Sequence, residues 1–149
     1  MKKSISQMNR RIFVAINYFC LFGFQIFFVW GENSNWPVHL VVITITFLVL
    51  LVLSFIPAYI GSGVWIFSKT HDKNLDERQM QIRNHVLRNS YAIYGILTVI
   101  VIAYLKETSE PSSIFGAAPD GVPFAIYTGI LYIVNILPAS LLAWQEKEI

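Results

Sequence analysis

Apolar residues come in four long runs, and polar residues are confined to the short stretches between them. The runs are Ile12 to Trp30, Val38 to Phe67, Leu87 to Leu105 and Val122 to Trp144. A helix needs about 20 residues to cross the hydrocarbon of a bilayer, and the first, third and fourth runs have that length. The second is longer and contains Pro57, Gly61 and Gly63. It predicts a span that kinks near Pro57 and continues at an angle to the surface. Helix is the expected form because hydrocarbon offers no partner to a free backbone group. The fold class expected is an all-α membrane protein: an antiparallel bundle of four transmembrane helices in a single domain.

Between the second and third runs lies a polar stretch, residues 68–88. Asn74 with Glu77 reads as a helix-opening capping pair, and Asp76 adds favourable charge at the positive helix end. No glycine or proline follows until Gly95. The pattern therefore predicts one helix from about Leu75 to about Lys106, roughly 45 Å long, with its first third projecting from the membrane. In that projecting part Leu75, Ile82, Val86 and Ile93 share an apolar face. Arg78, Gln81, His85 and Arg88 share a polar one.

Composition agrees with this reading. The chain has 149 residues, 55% apolar and 13% charged, against about 25% charged in soluble domains. A net charge of +2 is too small to point to nucleic acid. The placement of charge says more than its sum. Ten of the eleven basic residues fall in the amino-terminal segment (Lys2, Lys3, Arg10, Arg11), the central stretch (Lys69, Lys73, Arg78, Arg83, Arg88) and the tail (Lys147). Lys106 is the exception. The positive-inside rule then places both termini and the central stretch in the cytoplasm, with the plasma membrane as the expected location. The four tryptophans, Trp30, Trp36, Trp65 and Trp144, all fall at expected interfaces, where an indole is favoured. The first run is too long for a signal-peptide core and lacks a cleavage motif, so it reads as a retained helix. The connection from Glu107 to Gly121 is acidic and rich in turn formers, and reads as an outer surface loop.

Candidate chemistry is sparse. Cys20 is the single cysteine. It excludes a redox pair and reads as a small buried hydrophobe. His39, His71 and His85 match no metal-ligand spacing, and no cofactor is expected. No Asp, Glu, Lys or Arg lies in the centre of a run, which argues against a proton-coupled antiporter. Inside the runs the polar residues are Asn17, Gln25, Thr44, Thr46 and Asn135. They are expected to bond between helices, or else to line a solute path. Ser54, Ala58 and Ser62 repeat every four residues and predict a close helix contact. Phe55-Ile56-Pro57-Ala58 and Ile136-Leu137-Pro138-Ala139 echo each other, as in parallel repeats, although proline near a helix end is a common coincidence.

Asp76-Glu77-Arg78-Gln79, with Ile82-Arg83 and the approach to Ser90-Tyr91, resembles an uncharacterised group of small prokaryotic membrane proteins. That group carries an Asp-Glu-Arg signature before a membrane span. The matching stretch covers about Asn74 to Tyr94, and Gln79 stands where the group often has an acid. The resemblance implies a small membrane protein and no specific activity.

No catalytic set is present, so the expectation is a non-enzymatic accessory, regulatory or immunity-type subunit. It would meet a protein partner, or a second copy, through Asp76, Glu77, Arg78 and Arg83 on the cytoplasmic segment 75–90. The alternative is a transporter or channel component with Asn17, Gln25 and Asn135 around a shared path. A lipid-modifying enzyme comes third.

Overall fold

A computed structural model describes residues 7–69, 76–108 and 121–145, and these form helices and turns only. In chain order the helices are α1 (Gln7–Asn33), α2 (Val38–Phe55), a π-helical turn (Ile56–Ile60), α3 (Val64–Lys69), α4 (Glu77–Thr108) and α5 (Val122–Gln145). Four stretches are long and apolar enough to cross a membrane: Gln7–Asn33, Val38–Ile60, Glu77–Thr108 and Val122–Gln145. They overlap the four runs read from the sequence, but the second ends at Ile60, short of the expected Phe67, and the third begins at Glu77, ahead of Leu87. The expected Asn74 cap and the start at Leu75, with Lys2, Lys3, His71, Lys73 and Lys147, lie outside the described residues.

At Pro57 the second helix leaves the α form. Proline has no N–H to donate and its ring crowds the preceding turn, so the α ladder cannot continue unchanged. The backbone widens into a π turn, with the Gly61 N–H donating to the Ile56 carbonyl at 2.8 Å. The Ser62 hydroxyl donates back to the Ala58 carbonyl at 2.6 Å. Gly63 then takes φ +77, a conformation open to glycine at little cost, and α3 departs from that corner. Pro138 behaves differently: α5 runs through it without a break from Val122 to Gln145. The echo between the two sequences therefore does not become a repeated structure.

The neighbours form a row. α1 packs on α2 along its length, and its other side packs on α5. α5 in turn carries α4 and the short α3, while α2 and α4 do not pack along each other. The order across the row is α2, α1, α5, α4. Each α1 contact has a clear register. Asn17 meets Leu51 and Ser54 of α2, while Arg11, Asn17 and Gln25 meet Trp144, Tyr132 and Ala125 of α5.

The main core gathers Val14, Ala58, Tyr59, Val64, Val86 and Ile136 with Ala139, Leu142 and Ala143. A second cluster joins Cys20, Leu21 and Leu51, so Cys20 is a buried hydrophobe as expected. Outside, the usual polarity is reversed. Ile12, Ile16, Phe19, Phe22 and Ile26 form an exposed stripe on α1, and Tyr91, Ile96, Val99, Ile100 and Ile102 are exposed on α4. A soluble monomer rarely exposes apolar surface on this scale.

Aromatic rings close the α1–α2 corner. Trp36 stacks edge-on to Phe28 with centroids 5.4 Å apart, and its indole N–H donates to Glu32 at 3.2 Å. Asn35 and Trp36 both take positive φ, 53 and 52. Asparagine accepts that region readily; tryptophan does so at a cost, offset here by its ring contacts.

Candidate functional site

The polar residues of the four runs divide into two groups with different surroundings. The first lies inside the row. Asn17 is fully buried. Its amide donates to the Leu51 carbonyl at 3.1 Å and to the Ser54 hydroxyl at 3.0 Å. Its carbonyl accepts from the Tyr132 hydroxyl at 2.9 Å. One carboxamide thus links α1 to α2 and α5. Ser140 forms a second node: the Tyr18 hydroxyl donates to it at 3.1 Å, and the Tyr59 hydroxyl lies 2.9 Å from it. The Ser140 hydroxyl also donates to the Ile136 carbonyl at 2.9 Å. Gln25 donates to the Ala125 carbonyl at 3.0 Å, over Gly129, where a side-chain carbon would collide with the Gln25 amide. Glycine at 129 is what lets that carboxamide cross to α5.

The second group faces away from this interior. Asn135 is exposed, and its amide donates to the Leu131 carbonyl of its own helix at 2.8 Å. It lines a cleft between α3, α4 and α5 instead of the α1–α5 contact. Asn17 and Gln25 are therefore brought together along one interface, and Asn135 is not. Thr46 also bonds within its helix, to Val42 at 2.7 Å, and Thr44 is buried on α2.

The start of α4 is fixed by a reciprocal pair. The Gln79 N–H donates to the Asp76 carboxylate at 2.7 Å, and the Asp76 N–H donates to the Gln79 side chain at 3.2 Å. This is a capping box formed by Asp76 and Gln79. Glutamine at 79 is the matched partner of aspartate at 76.

Asp76, Glu77 and Arg78 are exposed, whereas Arg83 is turned inward, with only 8% of its surface accessible. The four residues expected to meet a partner thus do not share a surface. The buried stripe of α4 runs Arg83, Val86, Ser90. It is rotated from the expected apolar face, and Ile93 is exposed. Ser54 and Ala58 are buried against α1 as their spacing implied, while Ser62 turns to its own backbone. At this end of the row the Arg11 guanidinium lies over the Trp144 ring at 5.2 Å and donates to the Trp144 carbonyl at 2.6 Å. The Lys69 ammonium lies 5.3 Å from the Trp65 ring centroid.

The sequence reading missed Tyr18, Tyr59, Tyr132 and Ser140 as polar nodes. Their signal was available: each is a hydroxyl in an apolar run, and a buried hydroxyl requires a partner. Among the described residues no group of three His, Cys, Asp or Glu is placed to hold a metal ion. The chain matches no protein-family model, and no curated protein and no solved structure is similar to it.

Proposed function

We propose that this chain is a multi-pass protein of the cell membrane, crossing it four times in alternating directions with both termini and the central stretch in the cytoplasm. It works by association, through the first turns of α4. Support for the topology comes from the apolar outer surface and from the basic residues Arg10, Arg11, Lys69 and Arg83 gathering toward one end with Trp65 and Trp144. The observation that carries the functional reading is the two-sided start of α4. Arg83 and Val86 are buried against the row, while Glu77, Arg78, Gln81 and His85 are exposed on a helix whose first turn is capped. A charged surface held this firmly presents a fixed pattern to a partner with little ordering cost. The solute-path reading has less support, because Asn17 and Gln25 are engaged between helices and Asn135 faces a separate cleft.

The test is photocrosslinking in cells, with a photoreactive residue at Gln81 and a control at Met8 of the full chain. Association predicts a discrete adduct from position 81 alone. That adduct should disappear on Glu77→Gln with Arg78→Gln at unchanged protein level. Asp76→Asn, which keeps a capping oxygen, separates loss of charge from loss of the helix start. Absence of any discrete adduct at 81, or one that survives the double substitution, overturns the reading. Orientation is checked separately in a Cys20→Ser background, where a cysteine at Ser34 should react with an impermeant label from outside and one at Gln81 should not.

A further inference from the structure

A cleft of about 430 Å³ opens between α3, α4 and α5. Its walls divide by chemistry. Lys69 and Arg83 bring two cations, Ser68 and Asn135 add polar atoms, and Val134 and Leu137 supply an apolar floor. Arg83 is more than nine-tenths buried, and its guanidinium carries five donors in a planar fork. A phosphate offers several acceptor oxygens in matching geometry, and such charge-assisted bonds are the strong ones. On α4 the wall continues beyond Tyr94 through Leu97 and Val101, three and seven residues on and so on the same face. Leu97 is exposed. A cationic pocket thus opens onto an apolar track.

We infer that this cleft binds the phosphate of an anionic membrane phospholipid, whose acyl chains lie along α4. The inference rests on the membrane reading above, and on that topology the cleft sits at the cytoplasmic headgroup level. Basic pockets between helices on that side are suited to acidic lipid headgroups. The apolar floor and track favour a lipid over a soluble phosphoester, which would leave them uncovered.

The test uses the full chain, purified in detergent and offered phosphatidylglycerol or phosphatidylcholine of equal chain length, with retained lipid read by native mass spectrometry. Phosphatidylglycerol should be held about tenfold more tightly: both lipids carry the phosphodiester, but only phosphatidylcholine brings a quaternary cation beside Lys69 and Arg83, and like charges at close range repel. Lys69→Gln with Arg83→Gln should bring the ratio to about one, while Arg78→Gln on the exposed face should leave it unchanged. Should Arg83→Gln prevent folding, Lys69→Gln and Asn135→Leu, both at exposed positions, carry the test alone and should each lower the ratio. No headgroup preference in the wild-type chain, or a preference lost equally with Arg78→Gln, overturns the site. Glycerol 1-phosphate binding as tightly as the whole lipid overturns the lipid assignment and leaves a soluble phosphoester. Release of the chain from membranes by alkaline carbonate would instead defeat the membrane reading, so the two failures are distinguishable.

Discussion

The two faces of α5 meet neighbours of opposite character. Toward α1 it offers Ala125, Gly129, Tyr132 and Ser140, and the contact carries directed bonds from side chain to side chain and from side chain to backbone. Toward α4 it offers Val134, Asn135 and Leu137 around an open cleft, and α4 leaves most of its apolar length uncovered. On the membrane reading, hydrocarbon gives little drive for one apolar helix to leave lipid for another, so association depends on close approach and hydrogen bonding. The α1–α5 contact has both. On α4 the buried residues are Arg83, Val86 and Ser90 toward its start and Thr108 at its end. A helix can therefore belong to the same chain and leave the middle of its apolar length open.

The contrast is sharpest at two glycines. At Gly129 an added side chain collides with Gln25, whereas Gly95 on α4 has open space around it. Gly129→Leu should cost about 3 kcal/mol of stability, the upper range for overpacking. Gly95→Leu should cost nothing measurable. Thermal unfolding in a fixed detergent compares the two, and equal losses would end the distinction between the faces.

The asparagines give a smaller effect of the same kind. Asn17→Leu removes bonds to Leu51, Ser54 and Tyr132 and should cost about 1.5 kcal/mol, near the maximum for interhelical bonds. Asn135→Leu should change stability by less than about 0.5 kcal/mol, as expected of an exposed site. A double-mutant cycle of Asn17→Leu with Tyr132→Phe should return a coupling of about 0.6 kcal/mol. A coupling near zero would mean that the tyrosine bond adds nothing.

The smallest expected effect is the most diagnostic. Ile96→Ala, Val99→Ala and Ile102→Ala remove exposed carbon from α4, so each should shift stability by less than about 0.5 kcal/mol. A loss above about 1 kcal/mol, the scale of a buried core truncation, would show that a second chain covers this face. Chemical crosslinking in membranes would then report the dimer.

The four helices long and apolar enough to cross a membrane were legible because hydropathy and length are one-body properties of a segment. That Asn17 and Gln25 would bond between helices was legible too, since a buried carboxamide in an apolar run needs a partner. Which helices touch is a relation between segments, and nothing in the runs announced that α2 and α4 would be kept apart. Asn135 illustrates the limit: its place along the fourth run was readable, but its direction depends on where α1 and α4 sit around α5. Arg83 illustrates another. A charged residue reads as exposed by type, yet here it is placed inward between Ile82 and Val86 on a rotated face. That Pro57 would disturb its helix was predictable, but not that Pro138 would leave its helix unbroken.

The row order also bears on how the molecule is made. α1 and α2 are joined by a short corner and zipped by Asn17, so this hairpin can be complete before the rest of the chain has been synthesised. α4 emerges next, and its principal neighbour, α5, comes last. On the membrane reading α4 must wait in the bilayer as a solitary span. Its uncovered apolar length, a weakness by the standards of a soluble core, makes that wait tolerable, and the arrival of α5 is the step that joins the two parts of the protein.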